Sequence, residues 1–409
     1  MGFDLLGLSE GTLSAVAESG YTEPTPIQAQ AIPQVLMGRD ILGIAQTGTG
    51  KTASFTLPMI DILSEGRARA RMPRSLILEP TRELAAQVAE SFEKYGKNHK
   101  LTMALLIGGV NFGDQEKLLD RGVDVLIATP GRLLDHFERG KLLMTGIDIL
   151  VVDEADRMLD MGFIPDVEKI CQCIPKKHQT LFFSATMPPP IERLTKQFLD
   201  DPKMIEVARA SSTATTIDQK LITVAAKDKR KTLRALLKSE KVKNGIIFCN
   251  RKSDVKEVYS SLHRHGFSVG ELHGDMAQSD RMRVLSGFKE NTIQLLVASD
   301  VAARGLDVPD VSHVFNFDVP GNAEDYVHRI GRTGRAGREG SAFTIVTKSK
   351  LDQKNLADIE KLTNKKIPHI KAPDVVPPKP KLAADDWPKG KVIGMGPHIP
   401  AFLANPVKI

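Results

Sequence analysis

The chain has 409 residues, which at roughly 100–200 residues per domain predicts two domains or three small ones. Hydrophobic residues make up 41% and charged residues 26%, so the composition is that of a soluble globular protein and excludes a disordered or fibrous one. No run approaches the roughly 18 apolar residues that span a bilayer, and we expect no membrane contact. The net charge of +6 permits a polyanionic partner without requiring one.

Cysteine and aromatic residues are scarce. Cys171, Cys173 and Cys249 are too few for a disulfide framework and lack the paired spacing of a zinc site. We therefore expect a reducing, cytoplasmic location, in agreement with an N-terminus that lacks a signal-peptide pattern. Aromatic residues make up only 5%, so we expect any contact with RNA or DNA to run through phosphates rather than through stacked bases.

Short apolar runs rich in β-branched residues alternate with longer amphipathic stretches. In the first half we predict strands at 40–45, 75–78, 123–128, 147–152 and 180–184. In the second half we predict them at 245–249, 269–272, 294–299, 313–317 and 341–346. This alternation is typical of βαβ units and a parallel sheet, so the fold class is α/β.

A small, polar segment at 208–217 separates the two sets of strands and is predicted to be a flexible linker. We accordingly predict one α/β domain over 1–207 and a second over 218–370. The last segment, 371–409, is rich in proline and lysine and lacks apolar periodicity, so we predict a mobile, basic tail. A solvated linker or end is a simpler interpretation of this tail than a dedicated RNA-binding arm.

A glycine-rich segment follows the first predicted strand and precedes a helical stretch. It matches the phosphate-binding loop, except that alanine replaces the first glycine, and reads Ala45-Gln46-Thr47-Gly48-Thr49-Gly50-Lys51-Thr52. Backbone N–H groups near Gly48 and Gly50 can turn toward an anion at the positive end of the helix. Lys51 would contact the β and γ phosphates, and the Thr52 hydroxyl would bind Mg²⁺. This context favours a nucleotide site over a structural turn.

Two adjacent acids follow the predicted strand 147–152. Asp153 and Glu154 are therefore expected at the carboxyl ends of the strands, where open α/β sheets bind ligands. Asp153 can hold Mg²⁺, and Glu154 can orient and deprotonate the attacking water. Acids that merely decorate a helix N-terminus are the alternative. The phosphate loop upstream favours the catalytic interpretation.

Over about 3–350 the chain resembles the DEAD-box ATP-dependent RNA helicases, whose name is spelled by Asp153-Glu154-Ala155-Asp156. The first half also contains a Q motif at 20–28 with Phe3 upstream, Pro80-Thr81-Arg82-Glu83-Leu84-Ala85, Gly108-Gly109, Thr129-Pro130-Gly131-Arg132 and Ser184-Ala185-Thr186. The second half contains Ile246-Ile247-Phe248-Cys249-Asn250, Gln278 with Arg281, a segment at 299–307, and one at 328–335. The resemblance implies two tandem RecA-like domains, each a parallel sheet flanked by helices, plus a Pro/Lys-rich C-terminal tail.

The resemblance further implies an ATP site divided between the two domains. Gln28 would read the adenine edge, Tyr21 would stack on the base, and Asp307 would accept a hydrogen bond from the ribose. Arg332 and Arg335 are three residues apart, so on a helical turn both would face the γ phosphate as arginine fingers after domain closure. A basic patch that binds RNA phosphates is the alternative for these arginines.

Two further sets of residues follow from the resemblance. A relay that senses closure would comprise Asp156, Ser184, Thr186 and His328, with a buried hydroxyl-rich turn as the open alternative for Ser184 and Thr186. RNA would be held through sugar and phosphate groups, without sequence specificity, by Thr81, Arg82, Gly109, Thr129, Arg132, Asn250, Arg281 and Ser299. In the family, the motif that corresponds to 299–307 often begins with Thr. Ser299 keeps the hydroxyl that a phosphate contact needs.

The implied activity is RNA-dependent ATP hydrolysis by a helicase that closes on ATP, Mg²⁺ and single-stranded RNA and separates short duplexes. The chain looks like the bacterial helicases of ribosome assembly, RNA decay and growth in the cold. The expected partners are therefore rRNA or structured mRNA, and ribosome-assembly or RNA-degradation proteins. The alternatives are an ATP-gated RNA clamp or RNP assembly factor, a DNA translocase, and an inactive pseudo-ATPase.

Overall fold

The chain builds two α/β units, one on each side of residues 208–216. The computed structural model describes residues 2–45, 48–207, 217–303, 311–334 and 339–373, apart from the side chains of Gln278 and Val301. Each unit contains a parallel sheet whose two faces pack into separate apolar clusters beneath flanking helices. The predicted α/β class and the tandem arrangement are therefore confirmed.

The sheet of the first unit has the strand order β3-β4-β2-β5-β6-β1-β7. Its strands are β1 (Ile41–Ile44), β2 (Ser75–Leu78), β3 (Met103–Leu106), β4 (Val125–Ala128), β5 (Ile149–Val152), β6 (Gln179–Ser184) and β7 (Lys203–Glu206). Its helices are α1 (Glu10–Glu18), α2 (Pro26–Leu36), α3 (Lys51–Ser64), α4 (Arg82–Tyr95), α5 (Phe112–Arg121), α6 (Pro130–Glu138), α7 (Ala155–Asp160), α8 (Ile164–Cys173) and α9 (Pro189–Phe198).

The sheet of the second unit has the order β10-β11-β9-β12-β13-β8. Its strands are β8 (Ile217–Thr223), β9 (Gly245–Cys249), β10 (Val269–Leu272), β11 (Leu295–Ser299), β12 (His313–Asn316) and β13 (Gly340–Val346). Its helices are α10 (Lys229–Ser239), α11 (Lys252–Arg264), α12 (Gln278–Lys289), α13 (Asp300–Ala303), α14 (Ala323–Ile330) and α15 (Lys350–Thr363).

All ten predicted strands match observed strands to within two residues at each end. Three observed strands, β3, β7 and β8, were not predicted. β7 is an edge strand in which Ile205 alone is buried, so its sequence lacks the apolar run that marks a buried strand. β8 begins at Ile217, the last residue of the predicted linker, while residues 208–216 lie outside the described residues.

Parallel pairing places the carboxyl ends of the strands of each unit along one edge. In β5, Ile149 and Val151 pack into one apolar cluster, whereas Leu150 and Val152 pack into the cluster on the opposite face. The strand is buried throughout, so the first side chains that can serve a ligand follow it directly. The same sheet edge therefore receives the residues after β1, β2, β4, β5 and β6.

The C-terminal segment of the second unit covers the edge strand β8. The backbone N–H of Leu221 donates to the carbonyl of Pro368 at 2.8 Å, and Ile370 N–H donates to the carbonyl of Leu221 at 2.9 Å. Ile367 is buried beside them. Packing thus continues to the predicted end of the domain at 370, whereas residues 374–409 of the predicted tail lie outside the described residues. Among the helices described, none combines the length and apolar character needed to cross a membrane.

Candidate nucleotide and RNA site

The phosphate loop has the backbone shape that its glycines predict. Gly48 and Gly50 have φ values of 89° and 90°, a left-handed region that strains other residues. Helix α3 begins directly after them at Lys51, with Thr52 in its first turn. Ala45 anchors the loop through its N–H, which donates to the carbonyl of Ser184 at 3.0 Å. Two predicted nucleotide-binding residues, Gln46 and Thr47, lie outside the described residues, and Thr49 lies within the loop.

Gln28 connects the Q motif to the phosphate loop. Its Oε1 accepts a hydrogen bond from the backbone N–H of Thr25 at 2.9 Å, and its Nε2 donates to the carbonyl of Gly50 at 3.2 Å. A Cβ atom at Gly50 would lie 2.5 Å from Gln28 Nε2, so only glycine fits this approach. The side chain is buried at the base of the loop, and its contact with adenine stays a prediction.

Lys51 is held by the two acids that follow β5. Its Nζ lies 2.8 Å from Glu154 Oε1 and 3.5 Å from Asp153 Oδ1, and all three side chains are buried. Burial opposes the charge of the ammonium, but Glu154 and then Asp153 outweigh it and raise the pKa of Lys51. Burial, opposed by Lys51, raises the pKa of Asp153. The structure thus brings Lys51 of the predicted phosphate loop together with Asp153 and Glu154, and their roles in binding and hydrolysis stay predictions.

Glu154 adopts an unusual backbone conformation at the start of α7. Its φ of 51° lies in the left-handed region, which costs a residue other than glycine about 1–3 kcal/mol. Its N–H donates to the side chain of Asp153 at 2.8 Å. The next turn brings the guanidinium of Arg157 to 3.9 Å from Glu154 Oε2. This conformation turns the Glu154 carboxylate toward Lys51, where a γ phosphate would be bound.

Three of the four predicted coupling residues are hydrogen bonded to one another. Ser184 Oγ accepts from the N–H of Asp156 at 3.2 Å and donates to the carbonyl of Thr186 at 2.7 Å. Asp156 Oδ2 accepts from both the N–H and the hydroxyl of Thr186. This network joins β6 to α7, the helix that directly follows Asp153 and Glu154, whereas His328 lies on α14 of the second unit. Their role in sensing closure stays a prediction.

Tyr21 leaves much of its ring accessible. Its side chain is 48% exposed, and its ring centroid lies 6.3 Å from that of Tyr95 at the end of α4. The ammonium of Lys94 lies 5.3 Å from the Tyr21 centroid, within the range of a cation–π contact. An exposed ring supported on one side is compatible with the predicted stacking on a base.

In the first unit, the predicted RNA-binding residues lie near the amino ends of α4 and α6 or in the loop before α5. Thr81 caps α4 by accepting a hydrogen bond from Leu84 N–H. Thr129 is the residue before α6, and Gly109 has a φ of 81°. Helix N-termini and loop amides are groups that bind phosphates. Contact with RNA by these residues stays a prediction.

Both predicted RNA-binding arginines of the first unit have intramolecular contacts. The guanidinium of Arg82 packs against Gly108 and Gly109. Arg132 donates from Nε to Gln115 Oε1 at 2.9 Å and from Nη2 to the carbonyl of Val110 at 2.6 Å. The Arg132 guanidinium also lies 3.4 Å from the centroid of the Phe112 ring. These contacts hold each guanidinium in one orientation, and a bound phosphate would have to approach it in that orientation.

Arg281 contacts the other unit. Its Nη2 lies 2.7 Å from Glu83 Oε1, and the two side chains are only 12% and 9% exposed. This ion pair joins α12 of the second unit to α4 of the first. Sequence reasoning assigned Arg281 to RNA and missed Glu83, because the sequence does not reveal which residues meet across two units. An additional RNA contact by Arg281 stays a prediction.

Asn250 and Ser299 lie at the carboxyl ends of β9 and β11. The amide of Asn250 donates to the carbonyl of Val319 at 2.8 Å and accepts from Arg329 Nη2 at 2.8 Å, so its side chain is already paired within the protein. Arg329, to which the sequence assigned no role, is 1% exposed and binds Asp300 through two hydrogen bonds of 2.6 Å. Arg329 thus organises the strand ends that carry the predicted RNA contacts.

The predicted arginine fingers are only partly described. Helix α14 ends at Ile330, so Arg332 lies in the turn after it and not in the helical turn that the three-residue spacing suggested. Gly331 is the C-cap residue at which the helix stops. The N–H of Arg332 donates to the carbonyl of Arg329, three residues earlier, as in a turn, whereas in an α-helix the acceptor lies four residues earlier. Arg335 and Asp307 lie outside the described residues.

One buried acid of the site was missed altogether. Glu79 follows β2 and is fully buried, and neither of its carboxylate oxygens has a hydrogen-bond partner among the residues described. Burial, followed by the nearby charges of Asp153 and Glu154, raises its pKa well above the ordinary value. The available signal in the sequence was an acid directly after the apolar run Leu76-Ile77-Leu78 of β2, in the same position relative to β2 as Asp153 is to β5.

The parallel sheet, the glycine loop before α3 and the acids after β5 define the first unit as a phosphate-loop nucleotide-binding domain of the RecA-like class. The family model described as DEAD/DEAH box helicase matches residues 25–194, and that of the helicase conserved C-terminal domain matches 228–337. The DEAD-box ATP-dependent RNA helicase CshA of Bacillus cereus is 44% identical over 371 residues, covering 91% of this chain and 70% of the relative. The chain belongs to the DEAD-box ATP-dependent RNA helicase family.

Two solved structures of one yeast protein allow the arrangement of the units to be compared. Saccharomyces cerevisiae Dbp5 bound to RNA and ADP BeF3 is 31% identical, with a TM-score of 0.81 over 91% of this chain and 96% of that chain. A Dbp5 variant bound to Nup159, Gle1, IP6 and ADP gives a TM-score of 0.62 at 30% identity over 90% and 96% of the two chains. The overall arrangement is thus more similar to the RNA-bound structure, in line with the Glu83–Arg281 ion pair between the units.

Proposed function

We propose that this helicase hydrolyses ATP in the cleft between its two units and uses closure of that cleft to separate short RNA duplexes. The observation that carries the proposal is the buried cluster of Lys51, Asp153 and Glu154 at the end of the phosphate loop. Such a cluster supplies a cation for the phosphates and a carboxylate for the attacking water. RNA would engage the backbone-directed residues on both units, so binding would not depend on sequence.

The donor set fits Mg²⁺ as the companion of ATP. Carboxylate and hydroxyl oxygens, from Asp153 and Thr52, are the ligands that this hard cation prefers. Among the residues described, no group of three or more His, Cys, Asp or Glu could hold a metal by itself. That finding agrees with an ion bound through one or two protein oxygens plus phosphates and water. When bound, Mg²⁺ neutralises charge on the β and γ phosphates.

The ion pair between Lys51 and Glu154 suggests how the site changes when ATP binds. The γ phosphate would compete for the Lys51 ammonium, which now lies 2.8 Å from Glu154. Once released, the Glu154 carboxylate would accept a proton from the water whose oxygen attacks the γ phosphorus, with ADP as the leaving group. Arg332, in the turn after α14, would face the transferred phosphate as the units close, and Arg335 would join it.

Glu154→Gln tests this chemistry. The amide keeps the shape of the side chain but cannot accept the proton, so RNA-stimulated ATP turnover should fall about 10²–10⁴-fold. The matched control is Glu192→Gln on α9, an exposed acid paired with Lys196, which should keep wild-type turnover. Wild-type turnover in Glu154→Gln would remove Glu154 from the mechanism.

An ATP-gated RNA clamp would use the same residues, so strand displacement must distinguish it from a helicase. We expect displacement of a short RNA duplex that depends on ATP. Binding with an ATP analogue but no displacement would instead identify a clamp. Equal stimulation of ATPase activity by DNA and RNA would favour a DNA translocase, and no hydrolysis at all would favour a pseudo-ATPase.

We further propose a cytoplasmic role in ribosome assembly or RNA decay, with rRNA or structured mRNA as the substrate. The support is the sequence similarity to bacterial CshA helicases and the moderate positive charge of the chain. Crosslinking the protein to RNA in cells, followed by sequencing of the attached RNA, tests this role. Enrichment of rRNA precursors or mRNA is expected, and uniform recovery of all abundant RNAs would contradict it.

A further inference from the structure

Glu79 is a buried carboxyl group that the structure leaves without a hydrogen bond. It follows β2 directly, it is 0% exposed, and both Oε1 and Oε2 lack a partner among the residues described. A buried carboxyl without a partner destabilises a folded protein, whereas an apolar side chain at this position would not. Packing of the sheet therefore does not explain the presence of an acid at this position.

The surroundings of Glu79 point toward the nucleotide site. The N–H of Asp153 donates to the carbonyl of Leu78 at 3.2 Å, so Asp153 and Glu79 are neighbours across the strands β5 and β2. Glu79 interacts electrostatically with Asp153, Glu154 and Lys51. Glu79 is thus a buried acid beside Asp153 at the sheet edge that faces the phosphate loop.

We propose that Glu79 is an additional acid of the magnesium site, which accepts a hydrogen bond from a water ligand of the ion. The inference rests on the proposed ATPase function. Mg²⁺ loses its water ligands reluctantly and is usually held through one or two carboxylates, phosphates and several waters. An acid beside Asp153 with two unused acceptor oxygens is placed to hold such a water and not to replace it.

This role has a consequence that a structural role lacks. A carboxyl oxygen beside the ion stabilises nucleotide bound with Mg²⁺ through the water ligand, and this contact is absent when nucleotide binds without the metal. Glu79 should therefore increase the thermodynamic coupling between Mg²⁺ and nucleotide. That coupling is the ratio of the dissociation constants for nucleotide measured without and with the metal.

The experiment titrates the full chain with a fluorescent ADP analogue, once with excess Mg²⁺ and once with EDTA. Glu79→Gln should reduce the coupling ratio about tenfold, the effect of losing one hydrogen bond to a charged group. Binding in EDTA should stay equal. The melting temperature of Glu79→Gln should stay close to the wild-type value, because the amide has the same shape and replaces one buried polar group that lacks a partner with another.

The matched control is Glu271→Gln in the second unit, where Oε2 is also buried without a hydrogen-bond partner. This variant should keep the wild-type coupling ratio. If Glu79→Gln fails to fold, Glu79→Thr replaces it. A wild-type coupling ratio in the Glu79 variant would overturn the inference alone, whereas failure of the wild-type chain to bind the ADP analogue would overturn the proposed function as well.

Discussion

At the scale of single residues, the ion pair between Glu83 and Arg281 joins the two units directly. The two groups belong to different units and are nearly buried, at 9% and 12% exposure. A desolvated pair of this kind attracts strongly, and loss of one partner leaves the other charge uncompensated. The pair therefore favours the arrangement in which the two units are together.

We expect a double-mutant cycle to show that Glu83 and Arg281 act as one. Glu83→Gln and Arg281→Ala should each weaken RNA binding in the presence of an ATP analogue. The double variant should bind RNA no more weakly than the single variant that has the lower RNA affinity. The coupling energy should be about 0.5–3 kcal/mol. RNA affinity measured by fluorescence anisotropy gives these values.

The exposed pair of Glu138 and Lys169 provides the control cycle, since its side chains are 58% and 51% exposed and should couple weakly. A different result would contradict this coupling. If Arg281→Ala lowers RNA affinity much more than Glu83→Gln does, and the effects of the two substitutions are additive, Arg281 acts on RNA independently of Glu83.

At the scale of elements, α14 is attached to its sheet through Arg329. The buried guanidinium donates to Asp300, Asn250 and the carbonyl of Asp318, and so joins α14 to the ends of β9, β11 and β12. Arginine is needed because its planar group offers donors in several directions at once. The same contact fixes Asn250 and positions the turn that carries Arg332.

Arg329→Met should lower the free energy of unfolding of the second unit by about 3–5 kcal/mol. The reason is that the Asp300 carboxylate, which is largely buried, loses its ion-pair partner. Urea denaturation monitored by circular dichroism measures the loss. Arg283→Met on α12, whose side chain is 79% exposed, should change stability by less than about 0.5 kcal/mol. Equal stability of the two variants would show that the hydrogen bonds of Arg329 make no net contribution to the free energy of unfolding.

Helix α6 carries a buried histidine whose protonation state the surroundings fix. Gln115 donates from Nε2 to two backbone carbonyls, so its Oε1 is the atom that accepts from His136 Nε2 at 2.9 Å. His136 Nδ1 therefore carries no proton and has no hydrogen-bond partner among the residues described. Burial, followed by the charge of Arg132, lowers the pKa of His136.

This lowered pKa predicts a loss of stability in acid. His136 in the unfolded chain takes up a proton near pH 6.5, whereas the folded protein resists it. The contribution of His136 is thus complete above that pH, declines as the pH falls toward the folded pKa, and then levels off. Urea denaturation at pH 7.5 and 5.5 should show a smaller drop for His136→Gln than for the wild-type chain. Equal drops would contradict the assignment.

At the scale of the whole molecule, the segment 367–370 packs against the first strand of the second unit, although the two are far apart in the chain. Backbone hydrogen bonds of Pro368 and Ile370 to Leu221, with Ile367 buried beside them, cover the edge of β8. An uncovered edge strand invites pairing with other chains. The segment 367–370 therefore packs as part of the folded second unit.

Two truncations test this packing. A chain ending at Pro373 should keep the wild-type melting temperature and turnover at saturating RNA, while its RNA affinity should become modestly weaker and less dependent on salt. A chain ending at Lys366 should lose about 3 kcal/mol, from the exposure of Ile367 and the loss of two hydrogen bonds. Equal stability of the two chains would show that this segment does not hold the edge.

Local sequence pattern was enough to predict ten of the thirteen strands described and to place the acids that follow β5. Buried strands such as β5 are apolar throughout, and the phosphate loop and the acids after β5 lie next to such strands, so short-range pattern was sufficient. β3, β7 and β8 were missed because each lies at a sheet edge and is buried only in part, so its sequence carries less of that pattern. Asp153, Glu154 and Lys51 could be placed together because parallel strands end at one edge.

Only the tertiary structure decided which groups pair over long distances. The partners of Arg281 and Arg329, the isolation of Glu79 and the position of Arg332 after the end of α14 depend on how elements from distant parts of the chain pack. Ion pairing and burial depend on distances of a few ångströms in space, which residue type and spacing along the chain do not encode.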